Sequence, residues 1–159
     1  MLVAREAQDS FADGAVFISL APISDPTLIL PTIAQALKVP ESPRQLWLDS
    51  LKDYLYERQV LLLLDNFEQI ITAAPLLTEL LSACAKLQLL VTSREALRVR
   101  GEQEFLLSPL ALPEQPALET LLQYPGIALF VQRAQATQRE FRLTSQNAAA
   151  VAEVCARLD

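Results

Sequence analysis

The sequence predicts an α/β protein in which helices cover both faces of a parallel sheet, followed by a small helical subdomain. The first observation is residues 60–64, an aliphatic run with neither the period of two nor that of 3.6 residues. Both faces of such a run favour burial, as in the central strand of a parallel sheet. Strand-like and helix-like segments then alternate up to residue 112, and only helical patterns follow. We therefore predict an α/β domain at residues 1–112 and the start of a helical subdomain at residues 113–159.

Composition restricts the possible functions. The chain has 159 residues, a hydrophobic fraction of 52% and a net charge of −6, which fit one acidic globular domain. That charge argues against nucleic-acid binding by this segment. The absence of histidine removes the commonest general base and zinc ligand. Cys84 and Cys155 lie in helix-like apolar patterns and are expected to be buried free thiols. With no membrane span or signal peptide in the sequence, a cytoplasmic location is expected.

The first half of the chain contains clear start signals. Residues 1–8 resemble the end of an amphipathic helix, a turn is expected at Asp13, and residues 15–20 resemble a strand. Asp25 is expected to cap a helix that has Pro26 at its first position and a kink at Pro31. That helix should bury Ile29, Ile33, Ala34 and Leu37. Residues 42–45 resemble a capping box for a second helix, which should bury Leu48, Leu51 and Leu55.

The second half begins with the run at 60–64. A helix opened by Pro75 should then direct inward Leu76, Leu77, Leu80, Leu81 and Cys84. Residues 87–93 repeat the apolar pattern and predict a second buried strand, and residues 104–108 predict a further strand. Prolines between 109 and 116 indicate a stiff linker. Helices are expected at 118–123 and 127–136, and a last one capped by Thr144 should bury Ala148, Val151, Ala152, Cys155 and Leu158.

Asp65 is the first candidate site residue because it follows the aliphatic run directly. A carboxylate at the carboxyl end of a buried parallel strand lies where α/β folds bind ligands. Such an acid is typical of a Walker B strand, where it holds Mg²⁺ directly or through water. The alternative is that Asp65 caps the helix that follows, and the residues alone favour neither interpretation.

Arg94 follows the second apolar run and is the second candidate. Its guanidinium could contact the terminal phosphate of a nucleotide, or form a surface ion pair of little energetic value. Asn66 could orient water or a metal-bound ligand, although an amide cannot act as a general base. Glu68 is the nearest candidate base but is expected to face solvent. Other polar residues near the strand ends are weaker candidates for phosphate or ligand contact: Thr92, Ser93, Arg98 and Arg100.

A phosphate-binding loop is missing from this sequence. The pattern G-x-x-x-x-G-K-[ST] does not occur, and the chain has only three glycines. Without that loop there is no backbone cradle or lysine for the phosphates. We therefore expect this chain alone to bind ATP or ADP no more tightly than millimolar, because several charge-assisted hydrogen bonds are missing.

The blocks DNFEQ and VTSREALRVRGEQEF, within residues 61–114, carry a resemblance to a known family. They are similar to the nucleotide-binding domain of STAND-type regulators, relatives of the NB-ARC ATPases found in LuxR-like and SARP-like bacterial transcriptional regulators. The likeness extends to YPGIALFVQRAQA and LTSQNAAAVAEVCARLD, which resemble the helical subdomain of that family. The fold implied is an incomplete three-layer sheet of the P-loop NTPase type.

The resemblance implies roles for three residues. Asp65 matches the Walker B acid and metal ligand, and Arg94 matches the sensor arginine. Asn66 lies where many relatives have a second acid, so hydrolysis is expected to be slow at most, and absent in this chain alone. The implied cofactors are ATP or ADP with Mg²⁺. The family has its phosphate loop before the position of Met1 and a Gly-Leu-Pro-Leu motif beyond Asp159.

The function implied is that of an ATP/ADP switch module in a signal-transduction ATPase. DNA would be contacted only through other domains, no membrane is involved, and self-association through the nucleotide-binding domain is expected. In the family topology, the phosphate-loop strand lies between the strands predicted at 87–93 and 104–108. Its absence should leave open apolar edges and cause poor solubility that an N-terminal extension relieves. The alternative is a protein-interaction scaffold of the same fold that no longer binds nucleotide.

Overall fold

The computed structural model describes residues 6–111 and 118–158, with the side chains of residues 118 and 119 left out. The chain divides into two compact units, Met1–Glu104 and Phe105–Asp159. The first contains the sheet and the second is helical. The domain boundary predicted between residues 112 and 113, and most of the helix predicted at 1–8, lie outside the described residues.

A parallel sheet of three strands forms the centre of the first unit. The strands are β1 (Ala15–Ser19), β2 (Leu61–Asp65) and β3 (Gln88–Val91), in the order β1-β2-β3. Leu62 of β2 is paired with Val16 on one side and with Leu89 on the other. All four leucines of β2 are buried. The predicted α/β class and the parallel sheet are therefore confirmed, with the aliphatic run as its middle strand.

Strand β3 differs from the prediction of a second buried strand. Gln88 and Leu90 are exposed while Leu89 and Val91 are half-buried, and Leu90 has an exposed fraction of 44%. Because residues two apart lie on the same face of a strand, one face of β3 is open. Among the described residues β3 pairs only with β2, so it is an edge strand with fewer neighbours to cover it.

The strand predicted at residues 104–108 is not formed. These residues belong to no strand, and Phe105, Leu106 and Leu107 are exposed by 86%, 89% and 83%. A strand-like composition means that the side chains would pack well on a pleated, half-buried sheet surface, and it does not by itself make the backbone adopt a strand. In the described part of the chain no strand pairs with this segment, so the apolar pattern alone does not produce one.

Six α-helices accompany the sheet in the described residues. Those of the first unit are α1 (Ile29–Ala36), α2 (Trp47–Leu55) and α3 (Ala74–Ala83). Those of the second are α4 (Leu118–Leu121), α5 (Pro125–Thr137) and α6 (Ala148–Leu158). Short 3₁₀ helices occupy Gln8–Ser10, Pro26–Leu28 and Phe67–Ala73. No helix in the described residues is long and apolar enough to cross a membrane.

The predicted cap at Asp25 is confirmed. Its Oδ1 accepts hydrogen bonds from the Thr27 amide at 2.9 Å and from the Thr27 hydroxyl at 2.7 Å. The chain enters the helix through the 3₁₀ turn Pro26–Leu28, which places Pro31 in the first turn of α1, where its missing N–H costs little. The residues predicted to face inward are all buried: Ile29, Ile33, Ala34 and Leu37.

The Asp25 cap makes stability depend on pH. The hydrogen bonds from the Thr27 amide and hydroxyl lower the pKa of Asp25 below its ordinary value of 3.8, so the unfolded chain binds the proton more readily. The stabilisation by the cap is complete above about pH 4 and is lost as pH falls through the lower pKa of the folded state. We expect Asp25→Ala to lower Tm at pH 7 and to do so progressively less below pH 4. A Tm difference that is constant from pH 7 to pH 2.5 would contradict the charged cap.

The capping box predicted at residues 42–45 is wrong. Helix α2 begins at Trp47 after Leu46, which makes no side-chain capping bond. The Ser42 hydroxyl accepts the Arg44 amide at 3.4 Å. The Gln45 side chain donates to Asp53 at 2.7 Å, so the reciprocal bond of a capping box is not made. Of the inward residues predicted for this helix, Leu51 and Leu55 are buried and Leu48 is half-buried.

Helix α3 has Pro75 in its first turn, as predicted. Leu77, Leu80 and Cys84 are buried and Leu76 is half-buried, whereas Leu81 is 38% exposed and was wrongly placed inward. Both cysteines are free and buried. Burial raises the pKa of the Cys84 thiol, with Lys52 opposing the effect in part, and burial also raises the pKa of Cys155.

The helical unit has its own small core, formed by Leu121, Ile127, Val131, Ala148, Val151 and Cys155. Phe130 and Phe141 pack edge to face beside it, with ring centroids 6.2 Å apart. The Thr144 amide donates to Asn147 Oδ1 at 2.8 Å, and the Thr144 carbonyl accepts the Ala148 amide at 2.9 Å. The last helix begins at Ala148, and within the described residues the Thr144 side chain makes no capping bond, so Thr144 takes part at the helix start only through its backbone. Leu158 is 78% exposed and lies outside the core.

Candidate functional site at the carboxyl end of the sheet

The parallel pairing of β2 and β3 brings their carboxyl ends to the same edge of the sheet. Asp65 is the last residue of β2, and Thr92 follows the last residue of β3. The Thr92 amide donates to the Leu64 carbonyl at 2.9 Å, and the Thr92 carbonyl accepts the Phe67 amide at 3.0 Å. The ladder thus continues one residue past β3 and fixes the two strand ends together.

The Asp65 side chain is half-buried at this edge. Its Oδ1 accepts a hydrogen bond from the Thr92 hydroxyl at 2.6 Å, a short distance typical of a charged acceptor. Within the described residues, no hydrogen bond or ion pair engages the second oxygen, Oδ2. Asp65 therefore has one oxygen held by the protein and one available to a ligand.

Asn66 turns the chain out of the sheet. Its backbone is left-handed, with φ +67° and ψ +53°, a conformation that asparagine tolerates better than most residues. The 3₁₀ helix Phe67–Ala73 begins after it, and Asn66, at the N-cap position, makes no side-chain capping bond. Because the Asp65 carboxylate bonds to Thr92 instead, the interpretation of Asp65 as a helix cap is wrong.

Glu68 lies three residues after the end of β2, and Arg94 lies three residues after the end of β3. Their side chains form an ion pair. Arg94 Nε lies 3.6 Å from Glu68 Oε1, with side-chain exposures of 88% for Arg94 and 19% for Glu68. The expectation that Glu68 faces solvent is therefore wrong. With the arginine so exposed, the pair is worth little energetically, and Arg94 remains accessible to another anion.

The rest of the DNFEQ block has structural roles that sequence analysis missed. Phe67 is fully buried in the core. Oriented so that its amide nitrogen donates, Gln69 reaches the carbonyls of Ala21 and Ile23 at 3.3 and 3.0 Å. Gln69 thus holds the segment after β1 against the segment after β2. No local sequence pattern predicts these hydrogen bonds, because the partner residues lie more than 40 residues away in the sequence.

The Glu102 carboxylate holds the loop after β3 through hydrogen bonds from three backbone amides, a role that the sequence did not indicate. Its carboxylate accepts the amides of Leu97, Arg98 and Val99 at 2.8, 2.7 and 3.3 Å. Arg98 has φ +57°, and the bond from its amide helps to hold that strained backbone. The side chains of Arg98 and Arg100 are exposed, and neither forms an ion pair with any described residue.

The described residues contain no cluster of three or more histidine, cysteine or acidic side chains that could enclose a metal ion. Carboxylate oxygens are ligands that Mg²⁺ binds together with water, and Asp65 Oδ2 is such an oxygen at the sheet edge. A groove of about 520 Å³ lies elsewhere, between Lys52, Glu79 and Arg100, and does not include Asp65.

Comparison with known proteins reveals similarity to bacterial regulators. No protein-family model matches the chain, and no solved structure matches it. A Mycobacterium tuberculosis protein named "Putative HTH-type transcriptional regulator" is 36% identical over 148 residues, which is 92% of this chain. The corresponding Mycobacterium bovis protein has the same identity and coverage. An uncharacterized protein of Mycobacterium tuberculosis is 30% identical over 158 residues, 99% of this chain. The chain spans 16% of the regulators' length and 38% of that of the uncharacterized protein.

Proposed function

We propose that this chain is part of an ATP/ADP-binding switch module in a bacterial transcriptional regulator. Its sheet would be the incomplete core of a P-loop NTPase-type domain. The observation that carries the proposal is the Asp65 carboxylate, which ends the central parallel strand with Oδ2 unengaged by any described residue. Ligand sites of open α/β sheets lie at this end of the strands.

Two further observations support the regulator context. Sequence relatives covering 92% of the chain carry the name "Putative HTH-type transcriptional regulator", and the DNFEQ and VTSREALRVRGEQEF blocks resemble STAND-type domains. The net charge of −6 opposes direct DNA binding by this segment. DNA would then be contacted by other domains, while this part responds to nucleotide.

The proposed roles follow from the positions of three side chains. Asp65 would bind Mg²⁺, which neutralises phosphate charge when present. Asn66 lies directly after it and would orient a metal-bound water without acting as a base. Arg94 would contact the terminal phosphate after leaving Glu68, and the weak 3.6 Å pair with an 88% exposed guanidinium makes that exchange inexpensive. The intact protein would be a slow ATPase at most.

A second candidate is a protein-interaction scaffold that has lost nucleotide binding. It is favoured by the open face of β3 at Leu90 and by the exposed apolar segment 105–107. An exposed edge strand such as β3 can pair with another chain, so self-association is proposed under either function. The two candidates differ in whether the protein binds nucleotide at all.

The test is the nucleotide preference of Arg94→Ala, measured by calorimetry in a protein extended at its N-terminus to include a phosphate-binding loop. A sensor arginine contributes only when the terminal phosphate is present. We expect the preference for ATP over ADP to fall by roughly 1.5–3 kcal/mol, the value of a charged hydrogen bond. Arg44→Ala removes an exposed arginine elsewhere in the first unit and should leave the preference unchanged. Equal losses for both nucleotides would refute the sensor role, and no nucleotide binding by any version would favour the scaffold.

A further inference from the structure

Thr92 makes an unusual number of contacts with the end of β2. Its backbone amide and carbonyl bond to Leu64 and Phe67, and its hydroxyl bonds to both residues between them. The hydroxyl donates to Asp65 Oδ1 at 2.6 Å and accepts the Asn66 amide at 3.1 Å. Four consecutive residues are thus held by one threonine.

The direction of each hydroxyl bond is fixed by chemistry. A threonine hydroxyl has one hydrogen, and a backbone amide can only donate. Because Asn66 supplies the donor on one side, the Thr92 hydrogen is left for the carboxylate. The Thr92 hydroxyl therefore donates to Asp65 Oδ1 while it accepts the Asn66 amide. The carboxylate orientation and the left-handed turn at Asn66 are coupled through one oxygen atom.

We propose that Thr92 is the positioning residue of the Asp65 carboxylate: its hydroxyl fixes Oδ1 and leaves Oδ2 as the oxygen that binds a divalent cation. This inference rests on the proposed function, since it assigns the cation to Asp65. Without the hydroxyl, the carboxylate would rotate among several orientations, and a cation would have to select one of them. The neighbouring Ser93 hydroxyl accepts the Glu95 amide at 3.2 Å and makes no hydrogen bond to Asp65 within the described residues.

The bond itself is tested without metal, by NMR amide hydrogen exchange in Thr92→Val and Thr92→Ser. Valine keeps the shape and removes the hydroxyl, so the Asn66 amide should exchange on the order of tenfold faster, while serine should restore its protection. The Phe67 amide, which bonds to the Thr92 carbonyl, is an internal control and should be unaffected. Thr78→Val is a matched control, because the buried Thr78 hydroxyl has no hydrogen-bond partner among the described residues. Unchanged Asn66 exchange in Thr92→Val would overturn the proposal.

The cation role is tested with Mn²⁺ alone, followed by paramagnetic broadening of the Asn66 and Phe67 amide signals. We expect broadening at millimolar Mn²⁺, its loss in Asp65→Asn, an affinity about tenfold weaker in Thr92→Val and recovery in Thr92→Ser. Equal affinity in the unaltered protein and Thr92→Val would refute the positioning role of Thr92 alone. Absence of broadening in the unaltered protein would refute the cation site at Asp65, and with it the proposed function.

Discussion

Replacing Leu62 by alanine is expected to lower the free energy of unfolding by about 2–5 kcal/mol. Leu62 lies at the middle of β2 with a relative exposure of 0%, paired in register with Val16 and Leu89. The substitution removes buried methyl groups and leaves a cavity between helices and sheet that surrounding side chains fill only in part. Urea denaturation followed by far-UV circular dichroism measures this loss.

Leu106→Ala provides the matched control, because it makes the same chemical change at a residue 89% exposed. Its effect should stay within about 0.5 kcal/mol. A loss below about 1 kcal/mol for Leu62→Ala would contradict burial of the face of β2 that carries Leu62. A loss above about 1 kcal/mol for Leu106→Ala would instead show that segment 105–107 is packed in solution, as self-association requires.

Much of the fold could be predicted because its signals are local. The run at 60–64 has no periodicity, as expected of a strand covered on both faces, and it forms the buried strand β2. Asp25 and Pro26 define a helix start within two residues, and the structure has both where they were expected. In contrast, residues 104–108 have a strand composition but no strand, because pairing depends on a neighbour that no local pattern specifies.

Errors at helix surfaces have a similar cause. Leu81 and Leu158 continue the apolar spacing of their helices, yet they are 38% and 78% exposed. Helical periodicity defines a face but does not determine where the neighbouring element ends. At residues 42–45, the pattern of a capping box is present, but Gln45 finds Asp53 as a partner instead. Tertiary contacts decide these cases.

In the candidate site, too, local sequence signals predict the position of a residue, whereas its contacts depend on the tertiary structure. The position of Asp65 at the carboxyl end of the sheet follows from the strand pattern and from parallel topology. Its hydrogen bond to Thr92, the pairing of Glu68 with Arg94 and the anchoring of the loop by Glu102 join residues through the folded chain. Thr92 and Glu102 lie in the block VTSREALRVRGEQEF, but neither that likeness nor their position after a strand or in a turn indicates which bonds they make. Their roles depend on which atoms the fold brings within bonding distance.

Asp65→Asn is expected to remove the magnesium-dependent part of ATP binding in a protein that includes a phosphate-binding loop. The substitution keeps the shape of the side chain and an oxygen that can accept the Thr92 hydroxyl, but removes the negative charge that attracts the cation. We expect ATP affinity in the presence of Mg²⁺ to fall by roughly 1.5–3 kcal/mol, the range for bonds to charged groups, and turnover to cease. Binding of ADP without metal should be nearly unchanged, because Asp65 then has no cation to hold. Calorimetry with both nucleotides, with and without Mg²⁺, measures the four affinities.

Asp49→Asn is the control for net charge, because it removes one carboxylate charge from an exposed position in the first turn of α2. It should change none of the four affinities by more than experimental error. If Asp65→Asn weakens all four equally, the carboxylate supports the fold of the sheet edge rather than a cation. If it weakens none of them while the unaltered protein still binds nucleotide, the cation is held by other groups. Only a loss confined to the magnesium-dependent measurements supports Asp65 as the metal ligand, because only the bound cation couples this carboxylate to the phosphates.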